Sequence, residues 1–519
     1  MNRIIINIFA LFLLTLGGLF GQTLIYDGAF LEEECRAWAL PPAASWIEED
    51  GERALQVQGN DEPGCVVLAT RNFDFTPYAV RGLLVLSGEV KHAGVSQPRD
   101  SWNGVKFMMV IPQKGGKTGY FQAKEGIGDS PWHPVQASVQ VGAEASVGRI
   151  MLGLQDASGT VWFRRLKMTF VPQDEAFPPL TPPDFQAPYT KRLQDEPVRR
   201  GAMSPSFYTE AVVSEDLPVL RSWGANLLRW QITRNWGRRY DNQDPAEYLQ
   251  WIQSRIPGTL AVLDKAHELG MKVVVDLHVP PGGRDAQGNM VMFDNATYAE
   301  AFQEAWRMLA TACKGHPALF GYDLINEPSQ PYKVSRRDYL GLQYDVARIV
   351  REIDSETPII VEANGWDNAA MFAYLSALPL QDVIYQVHCY VPGEFTHQGV
   401  DGRRTGFTYP DAARGWDKEF LREYLRPVRE FQLRHGARIY VGEFSAVRWA
   451  TGAEEYLRDC IALFEEYGWD WSYHAFREWE GWSVEHGEDP QDTRPVSQDT
   501  ARKRVLLEGF QHNQPDMHQ

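Results

Sequence analysis

The chain has 519 residues, 44% of them apolar and 23% charged, with a formal net charge of -17. The length exceeds one typical core, so two domains are expected, and the composition is that of a folded protein. The charge argues against a nucleic-acid backbone, whose binding needs Lys and Arg to displace counterions, and against an anionic membrane surface; a neutral polymer suits it better.

Arg3 supplies a short positive start, Ile4 to Phe20 is almost entirely apolar, and Gly21 is a small residue where cleavage can fall. The run is short for a spanning helix, so residues 1–21 read as a signal peptide, with an uncleaved anchor as the alternative. The expected location is secreted or periplasmic, with no stable membrane insertion after cleavage. Of the five cysteines, Cys35 and Cys65 share the N-terminal region and are candidates for a disulfide in an oxidising compartment. Cys313, Cys389 and Cys460 fall in predicted helices or a strand, match no metal-binding spacing, and read as buried thiols.

Residues 22–171 read as all-β. Short alternating runs recur at 54–58, 82–90, 105–111, 138–141, 149–154 and 161–170, separated by Gly, Pro, Asn and Asp. Regular short strands with turn signals predict a two-sheet sandwich. Asp156 to Gly159 reads as the turn of a final hairpin. The order of these features resembles the jelly-roll carbohydrate-binding modules attached to many glycan-degrading enzymes. The resemblance implies sugar binding, with a purely structural spacer as the alternative. Trp102, Trp132 and Trp162 are candidates for stacking on sugar or for the core.

Residues 172–197 carry Pro-Pro at 178–179 and at 182–183, with Pro188 and Pro197. This composition predicts an extended connector.

From 198 to 519 strand and helix patterns alternate. The predicted strands are 198–203, 225–232, 272–278, 319–327, 358–364, 382–390, 438–444 and 469–476. Helical stretches lie between them at 259–269, 297–314, 337–353, 418–435 and 454–467. Gly270 and Gly468 sit where helix C-caps belong, and 294–297 offers N-caps. Eight such units predict an α/β fold, a (β/α)8 TIM barrel.

Two of these strands end on a carboxylate. Leu-Phe-Gly-Tyr-Asp-Leu-Ile-Asn-Glu-Pro ends at Glu327, where Pro328 should stop the ladder, and Arg-Ile-Tyr-Val-Gly-Glu-Phe carries Glu443 near its tip. Alternation gives a common direction to Leu227, Arg229 and Gln231, to Asp276 and His278, to Gln386, His388 and Tyr390, and to Ile439, Val441 and Glu443. Arg229, His278, Glu327, His388, Tyr390 and Glu443 can therefore converge at the C-terminal mouth of the barrel. Two acids facing one gap suit glycosidic bond cleavage. The 17 Trp and 21 Tyr agree, because aromatic faces stack on sugar rings.

The residues Asn326-Glu327-Pro328, Gly442-Glu443-Phe444, His388-Cys389-Tyr390, Leu228-Arg229-Trp230 and Asp276-Leu277-His278 stand in the order found in glycoside hydrolase family 5. From about 198 onward the chain resembles that cellulase-type family of retaining enzymes. The resemblance implies Glu327 as acid/base, Glu443 as nucleophile, Asn326 on the sugar 2-hydroxyl and Arg229 in support of the nucleophile. His278, His388 and Tyr390 match further site positions. One departure stands out: the family ends its eighth strand on a tryptophan that floors the sugar site, and here His474 takes that place. Trp479, Trp482 and Trp366 are alternative platforms.

The expected activity is hydrolysis of β-glycosidic bonds in a β-glucan or β-mannan type substrate by double displacement. The expected partner is a carbohydrate alone, with no nucleic acid, no cofactor, no metal and a monomeric chain. A catalytically inactive carbohydrate-binding protein and a metal-dependent barrel hydrolase are the rivals. Transglycosylation remains open within the same mechanism.

Overall fold

A computed structural model describes residues 23–513, apart from 61, 79–81, 101, 113–117, 124, 142–145, 173–188, 204–208, 235–241, 286–287 and 331–337. Residues 1–21, read as a signal peptide, and most of the proline-rich stretch lie outside the described residues. The chain divides into two compact units, one within 1–178 and one from 179 onward.

The first unit is all-β. One sheet has the order β2(Ala44–Glu49), β3(Glu52–Gly59), β10(Gly159–Pro172), β5(Gly82–Val95), β8(Gly128–Val141), with β1(Thr23–Gly28) also on β10; the other has the order β4(Val66–Asp74), β9(Val147–Gln155), β6(Gly104–Pro112), β7(Thr118–Gln122). A single buried cluster joins inward residues of both sheets, among them Leu55, Leu86, Phe107, Leu152 and Phe163, as alternation predicts for a sandwich. The expected hairpin at 156–159 is not one. β9 and β10 belong to different sheets, and Asp156 instead anchors a crossing. Its carboxylate accepts from Gly64 N at 2.7 Å and Arg99 Nη2 at 2.9 Å. Cys35 and Cys65 are free thiols, as are the other three cysteines. The Cys35 thiol donates to Phe30 O.

The second unit is a closed barrel of eight parallel strands: β11(Arg200–Met203), β12(Leu227–Ile232), β13(Lys272–Leu277), β14(Leu319–Asp323), β15(Ile359–Glu362), β16(Val383–Cys389), β17(Arg438–Phe444) and β18(Asp470–Tyr473), with β18 pairing back to β11. Its outer helices include α1(Pro245–Glu268), α2(Ala296–Cys313), α3(Tyr339–Ile353), α4(Lys418–His435), α5(Ala453–Tyr467) and α6(Ala501–Phe510). Asn295 caps α2, accepting from Thr297 N and Tyr298 N. The α1 helix begins well before the predicted 259, at the Asp244 cap, and runs through Pro257. Buried Tyr248, Trp251, Ile252 and Ile256 hold that first half against the barrel, so packing outweighs the bond that proline removes.

The barrel floor is a layer of Leu227, Val274, Phe320, Ile360, Ile384 and Tyr440, closed by Leu193. Leu193 belongs to a short helix, Lys191–Asp195, capped by Thr190. Tyr189 OH donates to Val383 O and accepts from Arg438 N. Arg438 in turn donates to the carbonyls of Leu193, Glu196 and Pro197. Residues 189–197 are therefore no connector, contrary to the reading of 172–197. They are the barrel's bottom closure, which the short apolar content of the segment concealed.

Candidate active site

Above that apolar floor the inward residues turn polar. Arg229 is wholly buried and sits at the centre. It donates to Asp323 at 2.9 Å, Glu443 Oε1 at 2.7 Å, Asn326 Oδ1 at 3.0 Å and Glu362 Oε1 at 3.0 Å, with Asp276 at 3.3 Å. Burial opposes its charge, but the four carboxylates outweigh burial and hold the guanidinium ionised. Burial and neighbouring carboxylates push Glu362 and Asp367 well above the usual carboxylate range. Burial also pushes Asp323 up to about 6.

Glu327 does not end a strand. β14 stops at Asp323, and the chain runs on through Leu324 N to Ile360 O and Asn326 N to Leu277 O. These contacts to both neighbouring strands carry residues 324–327 to the rim without a regular ladder. Glu327 has φ 53, a region costly for a residue with a Cβ. Its surroundings fix it there. Glu327 N donates to Glu362 Oε2 at 2.6 Å, and Arg284 Nη2 donates to Glu327 O at 2.9 Å and Asn326 O at 3.3 Å. Its Oε1 lies 3.2 Å from His388 Nδ1.

Glu443 reaches the site by a route that alternation alone misses. Tyr440 lies in the barrel floor, and a Cβ on Gly442 would strike the Gln386 side chain, so these two face inward. Strict alternation would send Glu443 outward with Ile439 and Val441. The register shifts between Val387 and His388, pairing His388 with Glu443, and this irregularity turns the carboxylate in. Tyr390 OH donates to Glu443 Oε2 at 2.8 Å. Burial alone would raise this carboxyl, but His388, His474, Arg229 and His278 together hold it well below the usual range.

One carboxylate oxygen of Glu327, one of Glu443 and one nitrogen of His388 lie within 4.8 Å of one another. They open onto a cleft of about 860 Å³ that also meets His278, Tyr390, His474, Trp366, Trp479 and Trp482. Asn326 Nδ2 lies 3.3 Å from His278 Nε2, and His278 Nδ1 lies 2.8 Å from Asp276 Oδ2. Every predicted site residue is therefore in this cleft or in contact with one that is. The aromatic residues differ in access. Trp366 is 43% exposed, with Arg284 4.1 Å from its ring centre. Trp482 is only 8% exposed and packs on Tyr390, His397 and His474. Trp479 packs edge-on against Trp482.

Sequence reasoning passed over Glu362, Asp367, Asp323, Arg284, His397 and Glu478. A charge ending an apolar strand was the available signal for Asp323 and Glu362, the same signal that marked Glu443. Arg284 lies in a glycine-rich loop and gave none. A second group of ligand-type atoms, from Glu362, Asp367 and His388, also falls within 4.8 Å.

The cellulase profile, glycosyl hydrolase family 5, matches residues 194–478. Endoglucanase C of Acetivibrio thermocellus is 26% identical over 268 residues, covering 45% of this chain and 74% of its own length. Cellodextrinase A of Ruminococcus flavefaciens is 24% identical over 263 residues, covering 48% and 72%. Among solved structures, a glycoside hydrolase at 23% identity and a TM-score of 0.49 covers 60% of this chain and 99% of its own. With the family profile spanning more than half of its length, this chain belongs to glycosyl hydrolase family 5, the cellulase family, and is a glycosidase that hydrolyses β-glycosides.

Proposed function

We propose that this enzyme cleaves a β-glucan-type polysaccharide or oligosaccharide with retention of configuration, using Glu443 as nucleophile and Glu327 as acid/base. The observation that carries this reading is that one carboxylate oxygen of Glu327 and one of Glu443 lie within 4.8 Å of each other across the cleft. Retaining enzymes place the pair roughly 5–5.5 Å apart, whereas inverting enzymes leave roughly 6.5–9.5 Å for a water molecule. The names of the two relatives, an endoglucanase and a cellodextrinase, support glucan over mannan.

Glu443, ionised beside Arg229, attacks the anomeric carbon. Glu327 gives its proton to the departing glycosidic oxygen. A glycosyl ester forms on Glu443, and Glu327 then takes a proton from the water that hydrolyses it. Asn326, gripped through Oδ1 by Arg229 and through Nδ2 by His278, keeps a second Nδ2 hydrogen for the sugar 2-hydroxyl. The exposed Trp366 is the candidate sugar platform, and its positive-φ backbone is held by a bond from its N–H to Pro328 O.

The test is the anomer first released from a β-1,4-glucan oligosaccharide, followed by proton NMR. Retention is expected; release of the inverted anomer refutes the mechanism. Full activity in excess chelator is expected as well, and loss restored by a divalent ion would favour the metal-dependent rival. A panel with mannan separates the two substrate types.

A further inference from the structure

Both ring nitrogens of His474 face hydrogen-bond acceptors. Nδ1 meets the Tyr390 hydroxyl oxygen at short range, and that hydroxyl already gives its one proton to Glu443 Oε2. Nδ1 must then be the donor toward the phenol oxygen. On the other side, Nε2 lies 3.3 Å from Glu478 Oε2, an ion-pair distance. The same oxygen takes a 2.7 Å bond from Gln231 Nε2, so Glu478 is itself held in place. With Nδ1 donating to the phenol oxygen, a second proton on Nε2 makes the ring an imidazolium, the form that a carboxylate at ion-pair distance from Nε2 favours.

We propose that His474, kept charged by Glu478, is a positioning residue that fixes the Tyr390 proton on the nucleophile, and that its deprotonation sets the alkaline limit of turnover. The proposal rests on the retaining reading of Glu443. Above that limit Nδ1 gives its proton to solvent and gains a lone pair. The Tyr390 hydroxyl then turns from Glu443 Oε2 to Nδ1. Glu443 loses one hydrogen bond and the positive charge 3.7 Å away, while Arg229 keeps its hold on Oε1.

The charged and titratable groups around His474 favour this state. Glu443 faces it from β17, Glu478 from the segment after β18, and Tyr390 from the end of β16. Arg229 on β12 opposes the charge. His397, from the loop after β16, does not compete, because burial, Arg403 and His474 push it down to about 4. Burial works against a charged His474 as well, but Glu478 and Glu443 outweigh it.

The experiment is the pH profile of kcat/KM on p-nitrophenyl β-cellobioside for the wild type, Glu478→Gln and His474→Asn. The alkaline limb should move about one pH unit lower in Glu478→Gln, as expected for loss of a carboxylate partner, and should vanish from its wild-type position in His474→Asn. A limb that stays in place in both variants overturns the proposal. Imidazole NMR titration of the full chain, with the His474 signal assigned by its loss in His474→Asn, reads the same group without turnover. A wild-type midpoint above the ordinary value that falls in Glu478→Gln is expected; an unmoved midpoint overturns the proposal. If the wild type cleaves no β-glycoside, the hydrolase reading fails, and the titration still decides whether His474 is held charged.

Discussion

Arg229 sets one buried positive charge against Glu443, Glu362, Asp323 and Asp276. Breaking a buried ion pair by removing one partner costs about 3–5 kcal/mol. Arg229→Met should therefore lower the stability measured by urea unfolding by that much, and an unchanged midpoint would show the carboxylates to be neutral as a set. Arg229→Lys keeps the charge but not the fork that reaches several acceptors at once, so its loss should be intermediate. Glu443→Gln should reduce turnover by at least about 10²-fold; less than a tenfold loss contradicts its role. His474 also makes stability depend on pH, in a definite direction. Its folded pKa is raised, so the stabilisation is fully present below the unfolded value of about 6.5 and is lost as pH rises through the folded value. Thermal unfolding should show His474→Asn costing more in mild acid than in alkali. At this scale much was legible, because carboxylates, histidines and an arginine in apolar strands are conspicuous. Glu443 was found by a rule that its own strand breaks, since the register shift at His388 cannot be seen in the letters. Glu478 and Gln231 mattered through a tertiary contact with no sequence spacing to reveal it.

Elements were legible where local chemistry decides them. Helices α2 and α4 lie within a residue of their predicted ends because caps and apolar periodicity agree. Gly436 ends α4 at φ 58 with open space where a Cβ would stand, whereas Gly452, at φ 87 before α5, would place a Cβ 1.7 Å from Tyr409 O. Gly436→Ala should cost about 1–2 kcal/mol from backbone strain alone. Gly452→Ala adds a collision with backbone and should cost more; equal melting temperatures for the two variants would refute the comparison. The turn at 156–159 shows the opposite limit. Its composition suits a hairpin, but which sheet β10 joins is decided by long-range pairing with β3 and β5.

At the scale of the whole molecule, the change from alternating to strand–helix patterns marked the two folds, and the barrel was predictable from its repeat. The export reading adds a test of its own: the mature protein, isolated from a host that secretes it, should begin near residue 22 by N-terminal sequencing, and an intact Met1 would refute cleavage. The boundary between the units was the least legible feature, because proline content hides what Tyr189 and Leu193 do. Leu193 is 4% exposed beneath the barrel, a burial worth about 1.5–3 kcal/mol. A chain starting at Tyr189 should therefore melt higher than one starting at Val198.

The stretch leading into the barrel is thus also its cork. An insertion ahead of Tyr189 would leave the bonds of Tyr189 to Val383 and Arg438, and the packing of Leu193 beneath the barrel, in place. An insertion between Tyr189 and Arg200 would instead draw the stopper from the vessel. Domain exchange among such enzymes should accordingly splice ahead of this tyrosine.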